Sequence, residues 1–276
     1  MTEQPIAFAV ENAMIRGILH LPALESPSTR TSILFLHGWS GCRIGPHRMF
    51  VKTARRMCEA GYACLRFDFR GRGESDGETK DGSIQNMISD TTCAIDYMRK
   101  QTPDNKILLL GICSGCKVAI GAAVRSSAPS ALVLWSPEPM GWLRNSSLNR
   151  QKSAFALRQY LRKLMHPATW RKILTCRVNT RLVGKALFQH ESASALEIRA
   201  ESELLSQFQT FGGKILCMYG TNDPDTAISM PGYADFCSKH GIPHNHHLVQ
   251  DASHSYYSLA FEDEVISITE QWINGL

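Results

Sequence analysis

The sequence has no run of about 18 apolar residues, so nothing in it is expected to span a membrane. The opening stretch, MTEQPIAFAVENAMIRG, lacks a basic region followed by an unbroken apolar run, so no secretory leader is expected. Neither a GxGxxG nor a GK[ST] pattern occurs, which argues against a phosphate cradle and a nucleotide cofactor. Charge is modest: 20% of residues are charged and the net is +5, too mild to argue for nucleic acid. The basic residues also lack interleaved aromatics apart from Trp142, Tyr160 and Trp170. Internal repeats and low-complexity tracts are missing as well. The nine cysteines are an odd, scattered set, several of them inside apolar runs. That usage reads as free thiols in a reducing, cytoplasmic setting rather than as a disulfide framework.

What is present is ordinary globular material: 276 residues, 43% hydrophobic, enough for one substantial core. Apolar runs without polar alternation stand at 31–38, 62–69, 106–111, 130–137, 214–220 and 246–250, the pattern of strands buried on both faces. Helical patterns lie between them at 47–60, 83–101, 115–126, 229–240 and 256–274. This alternation predicts an α/β fold with a doubly wound, mostly parallel sheet. Two short antiparallel strands are expected before it, within IAFAVENAMIRGILHLP. Residues 138–211 break the alternation, with helical patterns alone and twelve Lys or Arg against five Glu. We read 1–137 and 212–276 as the core and 138–211 as an inserted helical cap. It would stand over the carboxyl edge of the sheet, where open α/β sheets bind ligands.

LLLGICSGCKVAIGAA carries the chemistry. An apolar strand ends at Gly111 and a small-residue helix begins about four residues later, so the intervening turn is sharp. Such a turn strains its central residue and needs small neighbours two positions to either side. Gly111 and Gly115 meet that need around Cys113, whereas centring on Ser114 would put Ile112 and Cys116 there. Cys113 is therefore the expected nucleophile, its thiolate favoured by the following helix N-terminus. The competing readings are an inert buried thiol and a redox pair with Cys116. A nucleophile on such an elbow is followed along the chain by an acid and then a histidine. KILCMYGTNDPDT offers Asp223 and, two residues on, Asp225, with Asp223 preferred because it lies nearer the strand end. DASHSYY offers His254, and Glu138, just after SALVLWSP, is a third candidate acid. The imidazole would ion-pair with or deprotonate the thiol, and the carboxylate would orient it.

LFLHGWSG supplies the expected oxyanion donor Trp39, whose backbone N–H would act with that of Ser114. His37 has a bracing role in that reading. The Gly71 and Gly73 turn in FDFRGRGESDGE shapes the site without chemistry. His244, His246 and His247 invite a metal, yet no cysteine or carboxylate completes an obvious set, so neither metal nor cofactor is expected.

In this order HGWSG, DFRGRGESDG, GICSG, GTNDPD and ASH resemble the α/β-hydrolase superfamily, across the whole chain outside the cap. The elbow cysteine is similar to that of dienelactone hydrolase and a few thioesterases. RQYLRKLMHPATWRKIL in the cap resembles the exosortase-system-associated hydrolases. The resemblance implies an α/β-hydrolase fold and cleavage of an ester or thioester through an acyl-cysteine. Its substrate would be a small acyl compound, free or carrier-bound. Acyl transfer from coenzyme A or an acyl carrier is the enzymatic alternative, favoured by the basic cap. A non-catalytic binding protein on the same scaffold is the alternative of another kind.

Overall fold

Strands whose two faces are both apolar must be covered on both sides, and that requirement organises the molecule. The computed structural model describes residues 1–23, 30–144 and 194–276. The strands are β1 (Thr2–Val10), β2 (Ala13–Leu21), β3 (Thr31–Leu36), β4 (Ala63–Phe67), β5 (Lys106–Ile112), β6 (Pro129–Trp135), β7 (Lys214–Gly220) and β8 (His244–Val249). They form one sheet in the order β1-β2-β4-β3-β5-β6-β7-β8. β1 and β2 pair antiparallel, β2 joins β4 antiparallel, and every later pairing is parallel. The described helices are α1 (Met49–Glu59), α2 (Ile84–Gln101), α3 (Ser114–Arg125), α4 (Ala195–Phe208), α5 (Thr226–Lys239) and α6 (Leu259–Asn274).

Two apolar layers result. Met49, Phe50 and Met57 of α1 and Val265, Ile266 and Ile273 of α6 pack on one face, around Phe35, Leu110 and Trp135. Met87, Ile95 and Met98 of α2, Val118 and Ile120 of α3, and residues of α4 and α5 cover the other face. The boundaries of two helices differ from the sequence reading. α6 starts at Leu259 rather than 256, because the Ser258 hydroxyl accepts from the Phe261 N–H. α5 starts at Thr226 and carries Pro231 inside it, where the sequence reading begins the helix at 229. Of the region 138–211, the helix expected within SAFALRQYLRKLM and the run RQYLRKLMHPATWRKIL lie outside the described residues. α4 is described, and its Leu204, Leu205 and Phe208 are buried in the core together with Phe236 of α5.

Candidate active site

Parallel strands bring their carboxyl ends to one edge, so the turns after β3, β5, β6, β7 and β8 converge. The sharpest follows β5. Cys113 has φ 57° and ψ −127°, a conformation that costs an L-residue free energy and is held only by its surroundings. The flanking glycines are what make it possible. A Cβ on Gly111 would lie 2.5 Å from the Gly115 carbonyl oxygen, and one on Gly115 would lie 2.1 Å from that of Leu36. The Cys113 N–H donates to the Trp135 carbonyl at 3.0 Å, and the Cys116 N–H to the Cys113 carbonyl at 3.0 Å. Cys116 itself is fully buried, its Sγ 3.3 Å from the Gly111 and Trp135 carbonyl oxygens, and burial pushes its thiol well up.

The turn after β7 carries Asp223 and the loop after β8 carries His254. His254 Nδ1 lies 2.7 Å from Asp223 Oδ2, with the carboxylate 2% and the imidazole 31% exposed. Burial alone would lower His254; hydrogen bonds to Asp223 and Cys113 and the charges of both outweigh it and raise the imidazole to about 11. Asp225 stands two residues on, its N–H donating to Asp223 Oδ1 at 3.1 Å, which steadies that carboxylate.

Glu138, the third candidate acid, meets the thiol instead of the imidazole. The Cys113 S–H donates to Glu138 Oε1 at 3.3 Å. Glu138 Oε2 lies 3.0 Å from Lys117 Nζ, and that ammonium is also 3.0 Å from Glu201 Oε1 of α4. Arg144 and the Gly141 N–H complete the shell of Glu201. Burial would raise Glu138, but the Lys117 charge and hydrogen bond, followed by Cys113 and His254, bring it down to about 2. Lys117 is 5% exposed. The sequence reading passes over it; its one signal is a lysine set inside the otherwise small and apolar helix KVAIGAA.

The two expected oxyanion donors are tied to each other, since the Trp39 N–H donates to Ser114 Oγ at 2.7 Å. His37 is buried, accepting from the Phe69 N–H at 3.2 Å and donating through Nδ1 to the Gly38 carbonyl at 2.8 Å. Among the described residues two sets bring ligand atoms within 4.8 Å of one another: Cys113, Glu138 and His254, and Asp223, Asp225 and His254. His247 is engaged elsewhere, with Glu264 at 2.7 Å. No described helix is long and apolar enough to cross a membrane.

An open cavity stands over the elbow, walled by the loops after β3 and β4, by Lys117 and Glu138, by α4 and by His254. The fold matches that of known esterases. Est1E from Butyrivibrio proteoclasticus, solved with ferulic acid, superposes with a TM-score of 0.65 at 15% identity, covering 98% of this chain and 99% of that one. A dienelactone hydrolase from Anabaena variabilis gives 0.65 at 16% identity, with 99% and 97% covered. In sequence, the chicken (Gallus gallus) lysophosphatidylserine lipase ABHD12 is 33% identical over 114 residues, 40% of this chain. The chain matches only 29% of that lipase's length. Residues 27–224 match the profile of the serine aminopeptidase S33 family, whose name specifies serine where this elbow centres on cysteine. On that match, which takes in well over half its length, the chain belongs to the serine aminopeptidase S33 family of α/β-hydrolase enzymes.

Proposed function

We propose that the chain hydrolyses a small ester or thioester through an acyl intermediate on Cys113, with His254 as proton carrier and Asp223 as its orienting acid. The observation that carries this reading is the strained Cys113 at the head of α3, beside an imidazole bonded at 2.7 Å to a buried aspartate. The thiolate of Cys113 attacks the carbonyl carbon and the imidazolium of His254 protonates the departing alcohol or thiol. Neutral His254 then takes a proton from water as that water attacks the acyl-cysteine. Collapse releases the acid and restores the thiolate and imidazolium. The Trp39 and Ser114 N–H groups are the oxyanion donors in this scheme, which requires the Ser114 hydroxyl to leave the Trp39 N–H. ABHD12 is by name a lipase, and the esterase fold supports ester chemistry. Thioesters suit the cysteine equally, since a thiolate nucleophile favours acyl groups with good leaving groups. Residues 138–211 are the cap in this reading, and among the described residues α4 supplies part of the cavity wall.

Iodoacetamide inactivation with peptide mapping tests the assignment. Loss of p-nitrophenyl ester hydrolysis should track alkylation of Cys113 alone; inactivation that follows another cysteine overturns it.

A further inference from the structure

We infer that Arg72 receives an anionic group of the substrate, a carboxylate or phosphate carried close to the scissile bond; this rests on the ester-hydrolase reading. The cavity wall holds three described Lys or Arg side chains, and two are already neutralised. Lys117 is shared by Glu138 and Glu201, and Arg144 is bound to Glu201. The neighbouring arginines of the same loop cluster are also paired, Arg70 with Asp90 and Glu11 and Arg43 with Asp68 and Glu74. Arg72 has no carboxylate among the described residues. Its Nη1 meets the Gly71 carbonyl at 3.5 Å, while Nε and Nη2 are closed off from solvent with no acceptor among the described residues. A guanidinium in that state is under-solvated, and an oxyanion reaching it from the cavity that it lines would offset that loss.

The surroundings hold it there. Its Cζ stands 4.5 Å from the centroid of the Trp39 ring, a stacking that keeps the charge while fixing the plane of the fork. Gly82 lies on another side; a Cβ there would come within 3.0 Å of Nη2. The charge is also close to the chemistry. Trp39 follows Gly38, whose own missing Cβ would lie 3.6 Å from Cys113 Sγ. Arg72 and Cys113 line the same cavity, so an anion at Arg72 and the carbonyl attacked by Cys113 would share one pocket. Glu197, an acid on this wall with no cation beside it among the described residues, is turned to the Ser194 N–H as a helix cap at 2.7 Å.

Two matched pairs of esters test this on the whole chain. One is mono-4-nitrophenyl succinate against 4-nitrophenyl butyrate, for the carboxylate. The other is 1-butyrylglycerol 3-phosphate against 1-butyrylglycerol, for the phosphate. Wild type should favour the anionic member of at least one pair, and the pair that shows it names the group. Arg72→Met should lower the anionic-to-neutral ratio of kcat/KM by roughly ten- to hundredfold, through KM, as loss of a charged hydrogen bond does. Arg72→Lys should restore part of the ratio. A ratio unmoved by Arg72→Met overturns the inference. A binding arm separates it from the hydrolase reading: succinate or glycerol 3-phosphate should slow alkylation of Cys113 in wild type and not in Arg72→Met. Protection without hydrolysis of any ester overturns the hydrolase reading and keeps the anion site; no protection and no ratio change overturns the anion site itself.

Discussion

Cys113 joins a strained backbone to two rival partners, Glu138 at 3.3 Å and His254 within 4.8 Å. A thiol donates to the carboxylate, and a thiolate accepts from the imidazolium, so substrate entry that disfavours the first contact favours the second. Cys113→Ala should abolish turnover. Cys113→Ser should leave a remnant of opposite pH behaviour: a hydroxyl needs neutral His254 as base, whereas the thiolate works beside the protonated ring. Because Asp223 and Cys113 raise His254 to about 11, wild-type kcat/KM should hold flat well above pH 7. The Cys113→Ser remnant should instead climb with pH. A wild-type rate that falls between pH 7 and 8.5 contradicts the pairing. Asp223→Asn should cost about 10⁴-fold in kcat by favouring the wrong imidazole tautomer, measured beside Asp225→Asn and Glu138→Gln. A larger loss in either of those moves the orienting acid. The placement of Cys113 was legible because two glycines bracket it at a strand end. The Glu138 contact was not, since chain order reports which strand a carboxylate follows and not which way the turn aims it.

Among the elements, α3 shows what helical pattern reading misses. Lysines on helices usually face water, yet Lys117 points inward and joins Glu138 to Glu201 of α4. The parallel strands β3 to β8 were legible to within about two residues, because sheet interiors covered on both faces admit little but apolar side chains, whereas the antiparallel pair is longer than expected and begins at Thr2. Their order was not written in the chain: β4 inserts between β2 and β3. The Lys117 cluster also ties α4 to Cys113 through Glu138. Lys117→Met leaves two facing carboxylates without their shared cation and should cost about 3 kcal/mol in urea unfolding at pH 7. Glu138 falls to about 2 in the folded chain. Its contribution is therefore present above about pH 4.5 and lost as pH falls toward 2. The penalty of Lys117→Met should shrink over that window, and a pH-independent penalty would reduce the cluster to packing.

For the molecule as a whole, charge is divided unevenly. Residues 138–211 hold twelve Lys or Arg against five Glu, while the whole chain nets only +5, so the remainder is slightly acidic. If 138–211 is the cap proposed above, its surplus positive charge would draw anions at long range, an effect screened beyond about 8 Å at physiological salt. Coenzyme A thioesters and acyl carriers are the acyl donors that bring phosphates or acidic surfaces with them, and they are where such a field would matter. Arg158, Arg162 and Lys163 contribute to it and lie outside the described residues. Replacing all three by Glu should raise KM for short acyl-coenzyme A about tenfold at low ionic strength, with kcat little moved, as expected for an encounter effect. Added salt should close the gap between variant and wild type. The KM ratio of acyl-coenzyme A to 4-nitrophenyl butyrate is the quantity to follow, since a general defect shifts both substrates together. A ratio that stays constant across salt would assign the surplus charge to solubility.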